Sequence, residues 1–246
     1  MGPQFTQKEA EKVVKTAKYA FAQSLPVMAG YLVLGLGFGV LLESKGYGVG
    51  WAFVMSLVIY AGSMQYVAVD LLAGGASLIA AALMTVTVNA RHLFYGISMV
   101  ERYREAGPAK PYMIFALTDE TYSLVCSGGV PEGVDQKRYF FLVSLFNHLY
   151  WIAGSVAGAL VGTVLPFDST GIDFSMTALF LVVMVEQWRT TRDHRPALVG
   201  LGVSLVCLLV FGADDFLIPA MIGIALVLTL LRPALEPGEE AADVRD

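Results

Sequence analysis

The sequence predicts an all-α, polytopic membrane helix bundle of seven to eight segments, some of them broken or re-entrant. Three observations carry this prediction. The chain has 246 residues, of which 56% are hydrophobic and only 15% charged, whereas soluble domains carry about a quarter charged residues. Fifteen of its sixteen Lys and Arg residues lie in polar gaps or at the chain ends, leaving only Arg91 inside an apolar run. The apolar runs also lack the alternating period of a barrel strand, and lipid cannot satisfy exposed backbone groups, so they are helices.

The runs cover residues 19–42, 51–73, 77–100, 112–128, 139–165, 174–188, 196–212 and 214–231. Residues 1–18 precede the first run. They open with Thr6-Gln-Lys-Glu9, a capping-box pattern, and predict a surface amphipathic helix with Val13, Val14 and Ala17 toward lipid. Residues 19–231 form the transmembrane domain. Residues 232–246 end in five acids from Glu236 to Asp246 with Pro and Gly, which predicts a solvated, disordered tail. The first run is too long for a cleaved signal core.

Orientation follows the basic residues. Four Lys precede the first run, and Arg189, Arg192 and Arg195 mark a later loop. Both predict cytoplasmic placement, with a cytoplasmic N-terminus in the cell inner (plasma) membrane. Eight full crossings satisfy these but put the basic loop at 101–111 outside. A re-entrant 112–128 and a broken element within 51–100 would return that loop to the cytoplasm.

Polar residues within the runs are the functional candidates. The first run holds Gln23, Ser24, Pro26 and the glycines at 30, 35, 37 and 39. They suit either tight helix packing or an unwound backbone that lines a path. In the second run, Gly62-Ser63-Met-Gln65 suits either a helix opening or interhelical hydrogen bonds. Ser63, Tyr66 and Asp70 share one helical face there.

Asn89, Arg91 and His92 lie mid-run in the third segment, and Asp119, Glu120 and Tyr122 in the fourth. A cation and two carboxylates at apolar depth should find one another, so Arg91 is expected to pair with Asp119 or Glu120. The pair either fixes register or holds the two ends of a zwitterion. In the fifth run, Ser144, Asn147, Trp151 and Ser155 share a side, with His148 beside them as either a packing residue or a titrating one. Glu186 closes the sixth run and reads as interfacial.

Cys126 and Cys207 are isolated and read as small buried hydrophobes. No zinc spacing, G-x-S-x-G elbow or Walker loop is present. The sequence therefore predicts neither an enzyme nor a cofactor, and uphill transport would draw on an ion gradient or a separate motor. No basic surface invites nucleic acid.

The order of motifs carries a resemblance. LPVMAGYLVLGLGFGVLLESKG, YAGSMQYVAVDLL, TVNARHLFYGIS, FALTDETYSL and FNHLYWIAGSVAG follow one another within residues 19–230. In this the chain resembles the AzlC family of branched-chain amino acid permeases, large subunits of two-component exporters. The resemblance implies export of leucine, isoleucine and valine, with methionine a further candidate. It also implies a separately encoded, small AzlD-type membrane subunit as partner. Proton coupling is the expected drive. An uncoupled channel or facilitator for another small solute, and a membrane scaffold, stand as alternatives.

Overall fold

A computed structural model describes residues 7–126, 129–164, 181, 184–185, 188–189 and 193–235. The Thr6 cap, most of the 174–188 run including Glu186, and the tail beyond 235 lie outside the described residues. Every regular element among those described is helical. The chain forms two compact units, residues 1–176 and 177–246.

In the first unit, α1 spans Gln7–Ser44 and runs unbroken through Pro26. The N-terminal stretch is therefore not a separate surface helix. It continues into the first apolar run, because no glycine or proline interrupts residues 7–25. One stripe of α1 is buried, with Ala20, Ser24, Tyr31, Leu34, Phe38 and Leu41 at helical spacing. The opposite face is equally apolar but exposed, as at Val33, 72% accessible. Such a face needs lipid rather than water.

The partner of α1 is α8, spanning Gln136–Val164. Its buried residues, from Tyr139 through Val143, Asn147, Trp151 and Ser155 to Ala159, again repeat every three or four positions. The two helices run parallel. Asp135 N–H donates to Thr16, 119 positions away. The same offset brings Gly35 to Gly154, and Gly39 to Gly158, backbone against backbone. The glycines of the first run thus serve close packing. The alternative of an unwound backbone near Gly35 is not what the structure has.

Between these helices lie three interrupted segments. α2 (Val49–Val58) and α3 (Gly62–Ala73) are separated at Tyr60, which has φ +44°. α4 (Leu78–Asn89) and α5 (Arg91–Met99) meet at Ala90. The axes on either side of that junction, 78–86 and 91–99, differ by 44°. No proline or glycine marks that bend. A 3₁₀ turn, Gly107–Ala109, leads into α6 (Lys110–Phe115). α7 (Asp119–Cys126) follows a break at 116–118. Here the sequence does explain the interruption. Thr118 Oγ1 accepts from Thr121 N–H at 3.2 Å, capping α7, and Asp119 and Glu120 occupy its positive first turn.

Asp135 caps α8 in the same way, accepting from Arg138 N–H at 3.0 Å with Lys12 at 3.6 Å. The Arg138 amide, with the Lys12 and Arg138 charges, holds its carboxyl below the ordinary carboxylate range. A depressed folded-state pKa stabilises above the unfolded value of about 4 and is lost as pH falls through the folded one. Asp135→Ala should therefore lower stability by about 1 kcal/mol at pH 7. Thermal melts in detergent should show that difference shrinking below about pH 4.

In the second unit, α9 (Arg195–Asp215) and α10 (Leu217–Leu235) pack on each other, with Gly223 beside Val203. Gly212, at φ +79°, makes the break expected near 212–214. Leu209 is 78% accessible, so this unit too presents an apolar exterior. Three helices are long and apolar enough to cross a bilayer, within α1, α8 and α9. The bent α4–α5 pair makes a fourth. The chain is an integral membrane protein with an all-α bundle.

Candidate functional site

The three interruptions converge through one side chain. Arg91 opens α5, its Nη2 donates to Ser63 Oγ in the first turn of α3, and its Nε lies 3.4 Å from Asp119 Oδ1 at the start of α7. A single guanidinium thus joins the N-terminal turns of three half-helices. The expected ion pair is present and has chosen Asp119. The two side chains remain 28% and 34% accessible, so the pair is reachable by a solute.

Glu120 points elsewhere. Its Oε2 accepts from Tyr31 OH at 2.6 Å, and Tyr31 OH lies 2.7 Å from Thr118 Oγ1. Thr118 continues to Thr121 at 3.1 Å, and Asn147 Nδ2 donates to Thr121 Oγ1 at 3.0 Å. The two neighbouring acids therefore occupy different surroundings. Asp119 faces a cation, while Glu120 ends a buried hydroxyl chain that reaches α1 and α8.

A second buried network sits alongside. Trp151 Nε1 donates to Gln65 Oε1 at 2.8 Å, and Gln65 Nε2 donates to Ser56 Oγ at 3.2 Å. Gln65 thus ties helices together, and the helix opening lies before it, at residues 59–61. His148 Nε2 lies 3.1 Å from Ser56 O, and its Nδ1 lies 3.1 Å from Tyr112 OH. Its ring stacks on Tyr60 with centroids 4.2 Å apart. His148 is accordingly a hydrogen-bonded packing residue in this structure. Tyr122 stacks on Tyr95 at 5.2 Å and bonds Ser98, joining α7 to α5 away from Arg91.

A cavity of about 390 Å³ lies where the three breaks face one another. Tyr60 lines it from the first, Asn89 and His92 from the second, and Phe115 and Leu117 from the third. Asn89 Oδ1 is buried and accepts no hydrogen bond from any described residue. His92 Nδ1 lies 3.1 Å from the Asn89 carbonyl. Arg91, Asp119 and Glu120 are not among the lining residues, although Arg91 lies between two of them in sequence.

Sequence reasoning did not single out Tyr31, Ser56, Tyr60 or Tyr112. A tyrosine in an apolar run is compatible with lipid, packing or a polar site, and only the tertiary partners decide. Tyr60 carried one weak signal. It precedes Ala-Gly-Ser, where small residues make a break inexpensive.

Comparison with known proteins adds to this geometry. The family model described as AzlC protein matches residues 26–165, which takes in all three breaks and α8. The branched-chain amino acid transport protein AzlC of Bacillus subtilis (strain 168) is 45% identical, over 89% of this chain and 87% of its own length. An uncharacterized membrane protein of Haemophilus influenzae is 43% identical, over 91% of this chain and 92% of its own. Inner membrane protein YgaZ of Escherichia coli is 28% identical, over 74% and 79% respectively. No solved structure matches the chain.

Proposed function

Since the chain belongs to the AzlC family, we propose that it is the large subunit of a secondary transporter that exports branched-chain amino acids. The observation that carries the reading is the half-accessible Arg91–Asp119 pair beside a mostly apolar cavity. A zwitterionic aliphatic solute needs a cation for its carboxylate, acceptors for its ammonium and an apolar space for its side chain. Arg91 supplies the first. Asp119 and the free Asn89 Oδ1 supply the second. The cavity supplies the third, and its volume suits an amino acid of leucine's size.

Binding would exchange one ion pair for two. The solute carboxylate takes Arg91 from Asp119, and the solute ammonium compensates Asp119. Neither charge is then left unpaired at apolar depth. Glu120 is the acid we assign to proton coupling. Tyr31 and Thr118 can donate to its carboxylate or accept from its protonated form, so both states find partners.

The parallel packing of α1 and α8 supports a cytoplasmic N-terminus. It places Lys12 and Lys15 at the same end as Lys137 and Arg138, a concentration of basic residues expected on the inner face. A small AzlD-type membrane subunit is the proposed partner, and the plasma membrane the proposed location.

The test is leucine efflux from preloaded vesicles under an imposed proton gradient, with this chain alone and with the small subunit. Gradient-dependent efflux that needs the small subunit is expected. Leucine flux indifferent to the gradient would indicate an uncoupled facilitator. Absence of leucine flux from correctly inserted protein would overturn the substrate assignment.

A further inference from the structure

Glycine inside a helix normally answers one of two needs. It permits a positive φ, or it lets another backbone approach closely. Gly212 meets the first need, and Gly35, Gly39, Gly154 and Gly158 meet the second. Gly96 meets neither. It lies mid-way along α5 in helical conformation, and a Cβ placed there has no other atom within 4 Å. Glycine is also the least favourable helix former short of proline. A residue that weakens its helix, and admits no neighbour in return, is explained by the space it leaves open.

That space is the cavity. His92 and Leu93, one turn before Gly96, line it, and so do Met99 and Val100, one turn after. Gly96 itself is a lining residue at the centre of this stripe. Side chains three and four positions apart share a helix face, so a side chain at position 96 enters the same cavity. Phe115 and Leu117 form the facing wall. The polar lining atoms lie at one end, at Asn89 and His92, one to two turns from Gly96. A solute whose charged ends sit near Arg91 and Asn89 would therefore direct its side chain along α5 toward Gly96.

We infer that Gly96 sets the largest solute side chain the cavity admits, and that this class is the branched aliphatic amino acids. The inference rests on the transport reading above and adds the residue that determines size. A methyl group at position 96 takes space that leucine needs and alanine does not. One methylene in an apolar pocket discriminates by roughly tenfold or more.

The experiment measures initial rates for alanine, valine and leucine in proteoliposomes, comparing wild type with Gly96→Ala and Gly96→Val. The leucine-to-alanine rate ratio should fall roughly tenfold in Gly96→Ala, and further in Gly96→Val. An unchanged ratio, or an equal loss for all three solutes, overturns the inference. Gly96→Ala raises helix propensity, so it should insert and fold even if Gly96→Val does not. A second measurement uses Gly96→Cys with Cys126→Ser and Cys207→Ser. Leucine should slow its alkylation several-fold and alanine much less, and equal alkylation with and without leucine counts against the inference. Failure of the transport reading is separately visible, as wild-type protein that carries no aliphatic amino acid. Failure of the size inference alone appears as normal leucine flux that position 96 does not tune.

Discussion

Gly158→Val is expected to prevent the α1–α8 pair from closing, and with it the folded first unit. A Cβ at Gly158 would stand 2.1 Å from the Leu36 carbonyl oxygen, and one at Gly39 would stand 2.1 Å from the Ser155 carbonyl oxygen. These are backbone atoms of long helices, which cannot rotate away as a side chain does. Overpacking usually costs about 1–3 kcal/mol when side chains can shift. Here the helices themselves must separate, so a loss above about 3 kcal/mol is expected. Size-exclusion chromatography in detergent should show aggregate in place of a monodisperse peak. Gly50→Ala, where nothing lies within 4 Å of the added carbon, is the matched control and should behave as wild type. A monodisperse, thermally unaltered Gly158→Val would mean that the seam does not hold the bundle.

The second large effect concerns the charge pair. Arg91→Gln and Asp119→Asn should each lower leucine flux at least tenfold, since each leaves the other charge without its partner. The double variant separates the two roles this pair could have. If the pair serves only register, removing both charges restores neutrality and should recover much of the flux. If each charge binds one end of a zwitterion, the double variant stays as inactive as either single one. The second outcome is expected, because Arg91 and Asp119 are accessible and adjoin the cavity. Expression and monodispersity measured in parallel distinguish loss of transport from loss of fold.

Much of this site was legible before the structure. A lone Arg and an Asp-Glu pair within apolar runs had to meet, because lipid leaves buried charges no other compensation. That argument reaches the Arg91–Asp119 pair without coordinates. It could not decide between Asp119 and Glu120, which differ only by where one helical residue projects. The choice depends on Tyr31, which lies 89 positions from Glu120. The glycines of the first run were ambiguous for a related reason. Glycine serves packing and unwinding equally, and only the facing Gly154 and Gly158 identify which. Of the three breaks, the one before α7 had a local signature in Thr118-Asp-Glu-Thr. The bend at Ala90 had none, since it is imposed by tertiary contacts. Gly96 was invisible because its significance is the absence of neighbours, which no sequence pattern encodes.

The constant offset between α1 and α8 also has a meaning in time. A ribosome adds about 5–20 residues per second, so the 119 residues between contacting positions take about 6–24 s to make. Throughout that interval α1 already exists while the helix that fits its glycine face does not. The nascent chain must hold that narrow groove in lipid, or against the insertion machinery, without letting another helix occupy it. Vulnerability to mispairing during synthesis is thus concentrated in the first forty-odd residues, and ends when Gly154 and Gly158 arrive.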